Sequence, residues 1–66
     1  MHRSLSARER QIIDLLAQGW TGVEIARRLF LAPETVREAI GDVTRKLGAR
    51  NRTHAVALVV SARMRA

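Results

Sequence analysis

The chain has 66 residues, no cysteine, and 12 Lys and Arg against 6 Asp and Glu, a formal net charge of +6 at pH 7. This length predicts one small domain, and the missing cysteines exclude disulfides and thiolate zinc sites. No apolar run approaches the roughly 20 residues that cross a bilayer, and no secretory pattern is present, so we expect a soluble cytoplasmic domain without a membrane partner.

The positive charge is concentrated in the last third of the chain. Residues 1–42 hold six basic and six acidic residues, whereas residues 43–66 hold six basic residues and no acid. Four of these six fall within eight residues: Arg45, Lys46, Arg50 and Arg52. Such a basic patch favours nucleic acid or an anionic membrane surface as a partner, and a solvated face that keeps the domain soluble is the alternative.

A first helix is predicted over about residues 6–18. Ser6 and Glu9 have the spacing of a capping box, in which each side chain binds the other residue's backbone N–H. Apolar residues at helical spacing follow, and Gly19 is placed to end the helix.

A second helix is predicted over about residues 21–30. Thr21 and Glu24 repeat the capping-box pattern, and apolar residues again mark one buried side. On the other side, Glu24 and Arg28 are spaced for an i,i+4 ion pair.

A third helix is predicted over about residues 33–47. Pro33 suits the first helical position, where its missing N–H costs no hydrogen bond. The N-cap position holds Ala32, which has no side-chain oxygen, so backbone N–H groups there stay available to water or an anion. The apolar residues form one stripe that Gly48 ends: Val36, Ile40, Val43 and Leu47.

A fourth helix is predicted over about residues 51–63, with Asn51 as its cap. Residues 55–62 are apolar almost all round the helix, although a helix at the edge of a small domain needs only one buried stripe. We interpret the surplus as a homodimer surface, with plain over-hydrophobicity or a missing neighbouring domain as alternatives. The residues assigned to this surface are Val56, Val59, Val60 and Arg63.

These elements predict an all-α fold of four helices that includes a helix-turn-helix over about residues 22–41. The short connection "FLA" holds the second and third helices close together. In this motif the outer side of the second of the two helices enters the major groove of DNA. Double-stranded DNA is therefore the expected partner.

The outer side of the third helix supplies the candidate base contacts, Arg37, Glu38 and Gly41. Arg37 has the fork of donors that suits guanine O6 and N7, and an ion pair with Glu34 is the alternative. Glu38 suits the amino group of cytosine but is repelled by phosphates. Gly41 costs helix stability, which a close approach of the backbone to the groove would explain; the alternative is that the cost is simply tolerated.

Candidate phosphate contacts are basic or hydroxyl side chains near the helix ends. They are Thr21, Thr35, Arg45, Lys46, Arg50 and Arg52. Asp42 lies four residues before Lys46 and competes for it, and Thr21 is alternatively only an N-cap. Trp20 either closes the edge of the core or donates its indole N–H to a phosphate.

Catalysis has no support in the sequence. His2 and His54 lie far apart, with no carboxylates grouped around them, and two histidines alone do not make a metal site. No glycine-rich phosphate loop and no activated nucleophile is recognisable. We therefore expect no enzyme, no metal and no cofactor.

Five motifs in chain order resemble the DNA-binding domain of LuxR-type (GerE-like) bacterial transcription regulators. They are "LSARE", "LLAQG", "EIARRL", "TV" and "KLGARNRTHAV". The resemblance runs from Leu5 to about Val60. It implies a four-helix fold with the third helix in the major groove, a dimer formed by the fourth helix, and promoter targets that are often inverted half-sites.

The same resemblance places base reading at Arg37, Glu38 and Gly41, and phosphate binding at Thr35 and Lys46. Three positions depart from the family pattern. Ala32 replaces a frequent serine, Ala39 replaces a common histidine, and Gly41 replaces a longer polar side chain.

Two rival functions remain open from the sequence. One is a protein-interaction module with a degenerate DNA-reading face, which docks RNA polymerase or a regulator. The other is a promoter-element reader that resembles sigma-factor region four, against which the capping boxes and the "KLG" turn argue.

Overall fold

The computed structural model describes residues 4–65 and contains four helices and no strand within that range. The helices are α1 (Ala7–Ala17), α2 (Gly22–Leu29), α3 (Pro33–Lys46) and α4 (Arg52–Arg65). The predicted all-α four-helix fold is confirmed, and only the end of α4 differs from the prediction by more than one residue. None of these helices combines the length and apolar character needed to cross a membrane.

Both predicted capping boxes are formed. The Ser6 hydroxyl accepts from the Glu9 backbone N–H at 3.0 Å, and the Ser6 N–H donates to Glu9 Oε1 at 2.9 Å. The corresponding distances at Thr21 and Glu24 are 3.2 and 2.8 Å. Each box satisfies two backbone donors that the first turn of a helix would leave unpaired, which fixes where α1 and α2 begin.

The starts of α3 and α4 differ from these boxes. Ala32 makes no capping hydrogen bond, as its methyl side chain requires. At α4, Asn51 Oδ1 accepts from the His54 N–H at 2.8 Å, and His54 Nδ1 accepts from the Arg50 N–H at 3.1 Å. His54 stands three residues after the cap, like the glutamates in the boxes of α1 and α2, but it accepts from the residue before the cap and not from the cap itself.

The backbone turns to positive φ within two residues after the end of each of α1, α2 and α3. Gly19 has φ 101° and Gly48 has φ 68°, and both were predicted as helix ends. The third is Phe30 with φ 58°, where the Leu31 N–H closes the turn on the Ala26 carbonyl at 2.8 Å. This left-handed phenylalanine was not predicted, because bulky side chains rarely adopt that conformation.

The core has two clusters of buried side chains. The first joins α1, α2 and the first half of α3: Ile12, Ile25, Ala26, Val36 and Ile40. The second joins α1, the second half of α3 and α4: Ile13, Val43, Ala55 and Val59. Because α1 and α3 contribute to both clusters, the packing fixes α2 and α4 on either side of α3 and leaves the outer side of α3 exposed.

Candidate nucleic-acid interface

The exposed side of α3 carries two ion pairs within the helix. Arg37 Nη1 lies 3.0 Å from Glu34 Oε1, and both side chains are mostly exposed. Arg45 pairs in the same way with Asp42. Glu38 is exposed between them and has no ion-pair partner among residues 4–65. The ion pair that we considered as the alternative role of Arg37 is thus present in the structure.

An open groove of about 630 Å³ borders this side of α3. Residues from the start of α2, from most of α3 and from the start of α4 line it. The lining includes Thr21, Val23, Arg37, Gly41, Arg45 and Arg52. A Cβ atom built on Gly41 would meet only Arg45 Nη1, at 3.8 Å. The absent side chain therefore opens the middle of α3, and the guanidinium of Arg45 lies beside that opening.

Lys46 forms its ion pair with Glu9 of α1 and not with Asp42, the partner that the sequence suggested. Its Nζ lies 2.7 Å from Glu9 Oε1, whereas Asp42 pairs with Arg45. The Lys46 side chain is only 29% exposed. The expected Asp42–Lys46 pair is wrong, because the last turn of α3 directs Lys46 toward α1. As a phosphate contact, Lys46 is a weaker candidate than Arg50 or Arg52, which are both exposed.

Hydrogen bonds lower the pKa of both capping glutamates. The Lys46 ammonium is the first cause at Glu9 and the Ser6 N–H the second, and together they hold the pKa of Glu9 below its ordinary value. The Thr21 N–H does the same to the pKa of Glu24. Both carboxylates thus favour the charged form that their partners require.

The two threonines predicted to contact phosphate lie at helix starts. Thr21 is the N-cap of α2, and its oxygen accepts a backbone hydrogen bond. The hydroxyl hydrogen remains a donor, so capping and phosphate binding are compatible roles. Thr35 is exposed in the first turn of α3.

Trp20 packs against the first core cluster and is partly buried, as a residue at the edge of the core. The Arg28 guanidinium carbon lies 5.3 Å from its ring centroid, which is within cation–π range. The expected Glu24–Arg28 pair is wrong: Glu24 caps α2, and Arg28 covers the indole instead. The periodicity of α2 alone gives no signal for this contact.

The residues predicted for a dimer surface divide between core and surface. Val59 is 6% exposed and belongs to the second core cluster, so its assignment to a dimer surface is wrong. Val56 packs partly against the same cluster, and Arg63 Nη2 lies 2.6 Å from Asp14 Oδ1. Val60 is exposed, and Met64, which we had not selected, is 82% exposed. The outward side of α4 therefore centres on Val60 and Met64.

Sequence reasoning also missed the most exposed large apolar side chain of the described chain. Phe30 is 95% exposed at the turn between α2 and α3. Within residues 4–65, no three His, Asp or Glu side chains come together as metal ligands. His2 lies outside the described residues.

The sequence matches the family model described as "Bacterial regulatory proteins, luxR family" over residues 3–59. It is 47% identical over 58 residues to the probable transcriptional regulatory protein SgaR of Hyphomicrobium methylovorum, an alignment covering 88% of this chain and 28% of SgaR. It is 44% identical over 52 residues to the spore germination protein GerE of Bacillus subtilis, covering 79% of this chain and 70% of GerE.

The fold is also similar to a solved structure described as that of the transcription factor GerE. The TM-score is 0.80 at 33% sequence identity, and the match covers 91% of each chain. The chain thus spans most of GerE but only about a quarter of the longer regulator SgaR. On the agreement of the family model, the relatives and the fold, this chain belongs to the LuxR family of bacterial regulatory proteins.

Proposed function

We propose that this chain is the DNA-binding domain of a bacterial transcription regulator and inserts α3 into the major groove of promoter DNA in the cytoplasm. The observation that carries the proposal is the exposed side of α3, where Arg37 borders an open groove that the basic side chains Arg45 and Arg52 also line. Several relatives are described as transcriptional regulatory or activator proteins, which supports the same conclusion.

We assign base reading to residues 37–41 of α3. Arg37 has five guanidinium donors, so one can hold Glu34 while others contact the O6 and N7 of a guanine. Glu38 is one residue further on, exposed, and able to accept from a cytosine amino group. Gly41 lets the helix backbone approach the bases closely, because no side chain stands there.

Phosphate contacts surround this reading face. Arg50 lies in the exposed turn before α4, Arg52 is the exposed first residue of α4, and Arg45 near the end of α3 lines the same groove as Arg52. Thr21 and Thr35 offer hydroxyl donors at the starts of α2 and α3. These residues attract any DNA sequence, and the attraction weakens with salt as counterions compete for the phosphates.

Dimerisation through α4 is part of the proposal, with its contact surface revised. The exposed side chains Val60 and Met64 form its centre, with Val56 and Arg63 at its margin. A two-fold pair of domains would read inverted half-sites about one helical turn of DNA apart.

A protein-interaction module, with RNA polymerase as one partner, is the second candidate. Phe30 favours it, because a fully exposed aromatic side chain is more typical of a protein contact than of solvent. Under this alternative, α3 would not read DNA, and removing Phe30 would abolish binding of the protein partner.

Selection of bound duplexes from a random DNA pool, followed by affinity measurements against salt, tests the proposal. Recovery of a short motif would support a sequence-specific regulator. Salt-sensitive binding without a motif would overturn the assignment of a reading face. Absence of binding at moderate salt would favour the protein-interaction module.

Arg37→Ala tests the division between reading and anchoring. We expect it to lose about 1–3 kcal/mol of discrimination at one base pair of the selected motif, because a bidentate base contact is removed. Arg50→Ala is the matched control and should weaken binding to all duplexes, reducing the salt slope by about one. Equal effects of the two variants on selected and random duplexes would contradict this division.

A further inference from the structure

The six acidic residues of the chain divide into two groups with different surroundings. Three serve the fold through ion pairs or helix caps: Glu9, Asp14 and Glu24. The other three lie on α3 at i, i+4 and i+8: Glu34, Glu38 and Asp42. Since Lys46 is bound to Glu9, the outer side of α3 carries three carboxylates against two arginines. The helix proposed to enter DNA is therefore not itself basic.

Two of these carboxylates each hold one arginine of the same helix. Glu34 binds Nη1 of Arg37, and Asp42 binds Nη2 of Arg45. In both cases the carboxylate lies three residues before the arginine, on the side toward the helix N-terminus. Each pair involves one of the five N–H donors of a guanidinium, so donors remain for a second partner.

Both arginines border the same groove. Arg45 extends back toward the N-terminus of α3, so that its Nη1 lies beside the position where residue 41 has no side chain. The pair with Asp42 holds it there. The guanidinium of Arg45 thus provides a donor group at the middle of α3, where Gly41 provides none.

From these two pairs we infer that Glu34 and Asp42 determine the sequence discrimination of α3. Each carboxylate orients one arginine toward the bases, and each opposes DNA phosphates when the correct bases are absent. This inference rests on the proposed DNA-binding function. It also gives Arg45 a role in reading bases in addition to its predicted contact with phosphate.

The discrimination between target and random DNA follows from two opposing effects of the carboxylates on the affinity for DNA. On a random sequence the carboxylates only repel phosphates, because the oriented guanidinium donors find no matching acceptors. On the correct sequence the same repulsion acts, but the arginines are already held in a conformation that fits, so less side-chain entropy is lost on binding. Removing a carboxylate therefore strengthens random binding more than it strengthens target binding.

The test compares Glu34→Gln and Asp42→Asn with two controls, on the duplex recovered by selection and on a random duplex. Each variant should bind the random duplex roughly three- to tenfold more tightly, with a smaller gain or a loss on the selected duplex. Glu38→Gln removes a charge from the same side of α3 without releasing an arginine; because Glu38 is itself a proposed base contact, this variant is compared only on the random duplex and in arginine mobility. Gln11→Lys adds one positive charge at an exposed position of α1.

Side-chain ¹⁵N relaxation of the arginine Nε–H groups, without DNA, supplies an independent measurement. Arg37 should become more mobile in Glu34→Gln and Arg45 in Asp42→Asn, and neither should change in the two controls. Unchanged mobility, or the same gain on both duplexes, would overturn the inference while leaving the proposed function intact. Failure of the wild-type domain to bind any duplex at moderate salt would overturn both.

Discussion

Glu9 connects two helices through a single carboxylate oxygen. Its Oε1 accepts from the Ser6 N–H at 2.9 Å and from Lys46 Nζ at 2.7 Å, which lowers the pKa of Glu9. The folded chain then binds fewer protons than the unfolded chain near this pKa. Its contribution to stability is complete above the ordinary glutamate pKa of about 4.3 and is lost as the pH falls through the lower folded value.

We expect Glu9→Gln to lower the Tm by about 5 °C at pH 7 and to flatten the fall in stability as the pH drops below about 5. Thermal unfolding followed by circular dichroism across this pH range provides the measurement. Lys46→Met removes the partner and should flatten the same part of the curve. Identical pH dependence in wild type and Glu9→Gln would show that the Glu9–Lys46 pair does not stabilise the fold.

Phe30 combines a left-handed backbone with an exposed side chain, so its ring gains nothing from burial in the isolated domain. A left-handed residue other than glycine costs roughly 1–2 kcal/mol, and asparagine tolerates this conformation better than phenylalanine. Phe30→Asn should therefore raise the free energy of unfolding by about 0.5–1 kcal/mol in urea titrations. Phe30→Ala, which keeps the backbone cost, should give no comparable gain, and equal gains would assign the effect to the exposed ring.

At the scale of the element, α4 has neighbouring valines with opposite environments. Val59 is enclosed by the second core cluster and Val60 faces outward. Val59→Arg should unfold the domain, because it buries an unpaired charge. Val60→Arg should leave the fold intact and abolish the concentration-dependent association expected of a dimer.

Sedimentation velocity at several protein concentrations, with circular dichroism on the same samples, separates the two effects. A folded Val60→Arg variant that still associates would place the dimer contact elsewhere. A folded Val59→Arg variant would contradict the packing of α4 against α1 and α3.

At the scale of the whole molecule, local signals predicted the helices well. A capping box involves residues three positions apart, and a glycine that ends a helix acts within one turn. Such local sequence patterns therefore suffice to predict the starts of α1 and α2 and the ends of α1 and α3. The stripe of apolar residues in α3 likewise identified its buried side, including Val36 and Val43.

Local sequence signals could not predict contacts between residues far apart in the chain, nor which residues of a continuous apolar run are buried. Glu9 and Lys46 are 37 positions apart, and no periodicity links them. Residues 55–62 are apolar almost all round α4, so no pattern could separate buried Val59 from exposed Val60. On α3, the spacing allowed Asp42 to bind either Arg45 or Lys46, and only the packing of α1 decided between them.

Ile12 and Ile13 are adjacent in α1, yet each is fully buried in a different core cluster. Withdrawing α1 would therefore expose both clusters together, and neither α2 nor α4 would keep its packing. We expect backbone amides in α2 and α4 to exchange with deuterium through one common opening, with equal free energies at the most protected sites of each helix. For a chain of this size, such exchange would make α1 the part of the molecule that joins two small clusters into one cooperative unit.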